Sequence, residues 1–178
     1  DGTGLGFLTN VLSAEANLRG WLAAAPDMHN QVVKNEGKKA LGWIGAQHDI
    51  LDTVAWMMAN YTVDPQRIYI VGGSMGGQIT AIMAAKHPDV FAAAYPWKPI
   101  ASLSDWHAQL TVFDPYNDLA GILPELNNQT PAQNPFEYER RSALQMPQNV
   151  RLIPQRLWHN QADQLVPITH SLNLSDAV

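Results

Sequence analysis

Residues 67–88, RIYIVGGSMGGQITAIMAAKHP, restrict the folds open to this chain more than any other stretch does. Arg67 to Val71 is rich in β-branched and aromatic residues and too short for a useful helix, which predicts a strand. Met75 to about Lys86 predicts a helix, and His87 and Pro88 stop it. A strand that turns straight into a helix is the repeating half of a parallel sheet, because parallel neighbours need a crossover and the crossover is usually helical.

The flanking sequence continues the alternation. Phe7, Val11, Ala14 and Leu18 fall at helical spacing within residues 7–19. The apolar run GWLAAAPD after them has the length and punctuation of a buried strand ending at Pro26. HNQVVKNEGKKALG reads as surface loop. From Gly45 to Asn60, the positions Ile50, Leu51, Val54, Ala55 and Met58 predict a second helix, which YTVDPQ ends with a proline turn. VFAAAYP, Val90 to Pro96, predicts another buried strand. Between about residues 97 and 149 proline, asparagine and glutamine become frequent, and the segment reads as a lid-like insertion with aromatic residues Trp97, Trp106, Phe113 and Tyr116. The sheet pattern returns as QRLW after Pro154, and a helix opens near Pro167.

Composition enters as a set of bounds. At 178 residues, 46% of them apolar, the chain buries one sizeable core and reads as one domain or part of one. The net charge of −5 is spread without runs of like charge, so a nucleic-acid surface is not expected. No apolar run reaches the roughly 18 residues of a membrane span. The absence of cysteine removes disulfide frameworks, thiolate metal sites and cysteine nucleophiles. The histidines show no paired metal-ligand spacing, so a metal site is not expected.

Gly72, Ser74 and Gly76 form G-x-S-x-G between the predicted strand and helix. In that context a sharp turn strains the serine backbone and lifts its hydroxyl above the sheet edge. Flanking glycines, with Gly73 and Gly77, remove side chains where strand and helix crowd. The helix N-terminus aims free N–H groups at the same spot, where negative charge on a substrate oxygen is stabilised. A plain glycine turn with an incidental serine is the competing reading. A phosphate loop is not, because its closing lysine and hydroxyl residue are missing.

With GGSMGG, DILDTVAWMMANYTVDPQRIYIVG and RLWHNQADQLVP, the chain resembles the α/β-hydrolase superfamily. It is similar to feruloyl esterases and polyhydroxybutyrate depolymerases, and to prolyl oligopeptidase-type catalytic domains. The resemblance implies an α/β fold, a mostly parallel sheet with helices on both faces, incomplete at both ends. It implies the triad order Ser, acid, His, with Ser74 as nucleophile and Asp163 as the acid that holds the histidine tautomer. A loop aspartate capping the following helix is the alternative for Asp163. The oxyanion donors implied are the N–H of Met75 and one from DGTGLG, at Thr3 or its neighbour, where Asp1 departs from the family's His-Gly.

The base does not fall into place. Among His29, His48, His87, His107, His159 and His170, the family order leaves only His170, and too few residues follow Asp163 for the helix, strand and loop the family interposes. The expectation is therefore that the base lies outside this chain, that His170 is an ordinary helix-surface residue, and that His159 is structural. On that reading this segment alone has little turnover, and the remainder of a parent chain completes the fold. The parent is expected to cleave a small-molecule carboxylic ester through an acyl-enzyme. An oligopeptidase-type serine peptidase and a non-catalytic binding module that keeps the fold are the alternatives.

Overall fold

The structure, a computed structural model, describes residues 12–28 and 41–177. Its elements run α1 (Ser13–Arg19), α2 (Ile44–Asn60), β1 (Tyr69–Gly73), α3 (Met75–Lys86), β2 (Ala93–Trp97), α4 (Leu103–Val112), α5 (Asp118–Ile122), α6 (Pro135–Glu139), α7 (Pro147–Val150) and α8 (Thr169–Ala177). Short 3-10 turns lie at Pro124–Leu126 and Ala143–Gln145.

β1 and β2 are parallel, with Tyr69 opposite Ala93 and Gly73 opposite Trp97. A third parallel segment joins the far side of β2 through bridges Ala94–Gln155 and Trp97–Trp158, where the sequence predicts the strand QRLW. Ala94 uses both backbone groups on this side: its N–H donates to Pro154 O and its carbonyl accepts from Arg156 N–H. Pro96, two residues on, faces the same way without an N–H to give. The third segment is thereby held at two points.

Helix α3 fills one face of the sheet. Every residue from Gly77 to Ala85 is buried, the mark of a helix surrounded by protein. Ile79, Met83 and Ala84 pack with Ala46 and Ile50 of α2, and with Phe91, Ala94 and Ile153. Ala81, Ile82 and Ala85 meet Ala143, Val150 and Leu174 of α8. Fully burying an Ile or Met is worth about 1.5–3 kcal/mol, so α3 is the principal anchor of this core. The opposite face carries Tyr69, Tyr95, Trp97 and Trp158, with Arg156 over the Tyr95 ring at 5.6 Å.

One expectation changes. Residues 21–27 form no strand, and Trp21 and Leu22 stand 56% and 51% exposed. Three successive alanines have little side chain to pack on a pleated surface. Residues 97–149 are a packed set of short helices, with Ile100, Leu103, Trp106, Leu110, Ile122, Leu126 and Tyr138 in one apolar cluster that also takes in Leu41 and Val166.

Candidate active site

Ser74 sits between β1 and α3 with φ 58° and ψ −118°. Such a conformation costs a non-glycine residue about 1–3 kcal/mol and persists only where the surroundings enforce it. Two hydrogen bonds do so: Ser74 N–H donates to Trp97 O at 2.9 Å, and Ser74 O accepts from Gln78 N–H at 2.9 Å. A Cβ at Gly72 would overlap Gly76 O, and one at Gly77 would overlap Trp97 O. A Cβ at Gly76 would meet nothing within 4 Å. The crowded glycines are therefore Gly72 and Gly77, and the last glycine of G-x-S-x-G has no steric role of this kind.

Ser74 lines an open cavity of about 560 Å³ at the carboxyl end of the strands, together with Lys98, Tyr116, Asp118 and residues 162–166. This is where open α/β sheets place their ligands. The structure thus brings Ser74 and Asp163 to one cavity from segments 89 residues apart. Met75 opens α3, and its N–H, like those of Gly76 and Gly77, has no carbonyl within the helix to bond. Thr3 lies outside the described residues.

Asp163 belongs to a closely fixed loop. Its Oδ1 accepts from Leu165 N–H at 3.0 Å and from Val166 N–H at 2.9 Å, a local turn well short of α8 and not a cap on it. Its Oδ2 lies 3.8 Å from Lys98 Nζ. His159 closes the loop at its base: Nε2 donates to Val166 O at 2.7 Å, since a carbonyl can only accept, and Nδ1 then accepts from Ser171 Oγ at 2.7 Å. The structural role expected for His159 is what these bonds describe. Trp106 Nε1–H braces the loop from α4 by donating to Leu165 O at 2.9 Å.

His170 departs from expectation. It is 2% exposed, not on a helix surface, and Nε2 lies 3.0 Å from Gln109 Oε1 of α4. Burial pushes its imidazole down to about 4. No histidine lines the cavity among the described residues. Of the four aromatic residues named in the lid-like insertion, Tyr116 reaches the cavity, Phe113 is exposed, Trp106 is core, and Trp97 packs at 5.9 Å from Trp158 on the far face of the sheet. Lys98 and Asp118 escaped sequence reading. Lys98 had a signal, because it follows β2 as Ser74 follows β1.

Among the described residues no group of three or more His, Asp or Glu could hold a metal ion, and no helix is long and apolar enough to cross a membrane.

Comparison with known proteins agrees with this architecture. Poly(3-hydroxyalkanoate) depolymerase C of Paucimonas lemoignei is 38% identical over 71 residues, 35% of this chain and 17% of that protein. Feruloyl esterase B of Neurospora crassa is 40% identical over 60 residues, 32% of this chain and 20% of that protein. In structure, a puromycin-hydrolysing peptidase of Mycobacterium tuberculosis matches with TM-score 0.61 and 25% identity, over 79% of this chain and 20% of that one. The acylaminoacyl peptidase of Pyrococcus horikoshii matches with TM-score 0.59 and 24% identity, over 78% and 21%. The chain spans about a fifth of the length of these relatives, from 17% to 21%. The model of the prolyl oligopeptidase family matches residues 11–178, and with a strand–serine–helix turn on an α/β-hydrolase sheet the chain belongs to that family of serine hydrolases.

Proposed function

We propose that the protein containing this chain cleaves carboxylic esters, with Ser74 as nucleophile and Asp163 as the acid of its triad. The observation that carries this reading is the strained backbone of Ser74, φ 58°, on the cavity that Asp163 also lines. Ser74 Oγ attacks the substrate carbonyl while its proton passes to a histidine. Met75 N–H, with a second donor from the region of Thr3, holds the oxyanion. Collapse of the intermediate expels the alcohol, which takes the proton back. Water then repeats the sequence on the acyl-enzyme and releases the acid. Asp163 orients the histidine and stabilises its protonated form. No cofactor takes part.

That histidine lies outside the described residues. His48 is exposed on α2, and His87 ends α3 at the pole away from Ser74. His107 packs edge-on against Tyr138 at 5.6 Å, and His159 and His170 are engaged as described. The helical segment 97–149 contributes Tyr116 and Asp118 to the cavity and serves as its wall.

Peptide-bond cleavage is the second reading, favoured by the peptidases of the structural comparison. The test uses the full-length protein and a fluorophosphonate probe. Rapid labelling at Ser74, lost in Ser74→Ala together with at least about 10⁴-fold in kcat, is the expected result. Absence of labelling would leave a non-catalytic binding module. Short acyl esters and dipeptide amides, assayed side by side, separate esterase from peptidase.

A further inference from the structure

The parallel register that sets Gly73 opposite Trp97 makes Ser74 and Lys98 the next residues on adjacent strands. Both have left-handed backbones, φ 58° and φ 37°. Lysine has no intrinsic preference for that region, where glycine or asparagine is usual. Its backbone is held there by a 2.7 Å bond from Lys98 N–H to Trp158 O. The side chain lines the cavity, and Nζ stands 3.8 Å from Asp163 Oδ2, with 42% and 12% of the two side chains exposed.

We propose that Lys98 is a positioning residue for Asp163, acting through its charge on the one carboxylate oxygen that the loop leaves open. The proposal rests on the assignment of Ser74 and Asp163 as nucleophile and acid. Oδ1 is already committed to Leu165 N–H and Val166 N–H. Oδ2 is therefore the atom available to the N–H of the base. At 3.8 Å, Lys98 is too distant to hydrogen-bond Oδ2, so it orients the carboxylate without consuming the lone pairs the base requires.

The ammonium also opposes protonation of a base bound at Oδ2. It neither gives nor takes a proton: the serine proton moves to the base, and from the base to the leaving group. The other ionisable side chains facing this point among the described residues are Asp118 and Tyr116 across the cavity and His159 beneath the loop. Among the described residues Lys98 is the cation that lines the cavity, and Asp163 and Asp118 are its carboxylates.

The test measures kcat and KM of the full-length protein on a neutral acyl ester from pH 5 to 9, in wild type, Lys98→Met and Lys98→Arg. Unfolding midpoints verify that each variant is folded, and Lys98→Gln replaces Lys98→Met if the latter is not. Removing the charge is expected to lower kcat about 10-fold with KM within about twofold. The acid limb of kcat/KM should move up by about half a pH unit, because the base then protonates more readily. Lys98→Arg should restore both.

An unmoved limb and unchanged kcat, with Ser74 still labelled by fluorophosphonate, overturns the role of Lys98 and leaves the Ser74 assignment standing. Turnover by Ser74→Ala overturns both. A rise in KM confined to substrates carrying a carboxylate would make Lys98 a substrate contact and overturn positioning. If Lys98→Met and Lys98→Arg are both as inactive as Ser74→Ala, lysine is itself the proton acceptor, which also overturns it.

Discussion

Ser74 and Gly77 depend on one carbonyl. Trp97 O accepts the Ser74 N–H at 2.9 Å and is also what a methyl at position 77 would strike. Gly77→Ala should therefore push on the contact that fixes the Ser74 backbone, costing about 2–4 kcal/mol and, with Ser74 as the proposed nucleophile, most of the fluorophosphonate reactivity. Gly76→Ala should do neither: it faces open space in the first turn of α3, and alanine should stabilise the helix by about 0.5–1 kcal/mol. Unfolding midpoints and labelling rates of the two variants check the pair, and equal damage from both would refute the packing argument. The sharp turn at Ser74 was legible in sequence because the strand, the turn and the helix that make it are contiguous. The exchange of roles between Gly76 and Gly77 was not, since the atom that decides it belongs to a strand twenty residues later.

Among the elements, the loop from His159 to Val166 is positioned by partners drawn from α4 and α8 and not by its own sequence alone. Trp106→Phe keeps most of the ring packing in the apolar cluster and leaves Leu165 O without the indole donor. The expected cost is about 1–2 kcal/mol of stability, with a fall in kcat and little change in KM, because the substituted group steadies Asp163 and lies beneath the loop. Steady-state kinetics with a thermal melt will show it, and a KM effect alone would contradict it. Local pattern located Gln155–Trp158 and α3 because both have neighbours supplied by the sheet. It failed at residues 21–27, where an apolar run of the right length finds no described strand to pair with. Periodicity reports what a segment can bury, and pairing decides whether it does.

For the whole molecule, α8 is tied to α4 through His170 and Gln109, across 61 residues of sequence. The sequence reading placed His170 on a helix surface, yet His170, Ser171 and Leu174 are buried while Leu172 is 53% exposed. The buried face is chosen by the partner at Gln109, which no local window contains. Burial of the ring has a consequence for stability against pH. The folded state holds His170 neutral down to about 4, whereas the unfolded chain takes up the proton near 6.5. Above pH 6.5 neither state binds it and stability is at its full value. Between 6.5 and 4 the unfolded state alone binds it, so stability falls as pH falls, by up to about 3 kcal/mol at the lower limit. His170→Gln removes the titration while retaining a polar group near Gln109. Melting curves from pH 7.5 to 4 should therefore fall more steeply for the wild type than for the variant, and parallel curves would show that His170 is not what links acidity to the joint between α4 and α8.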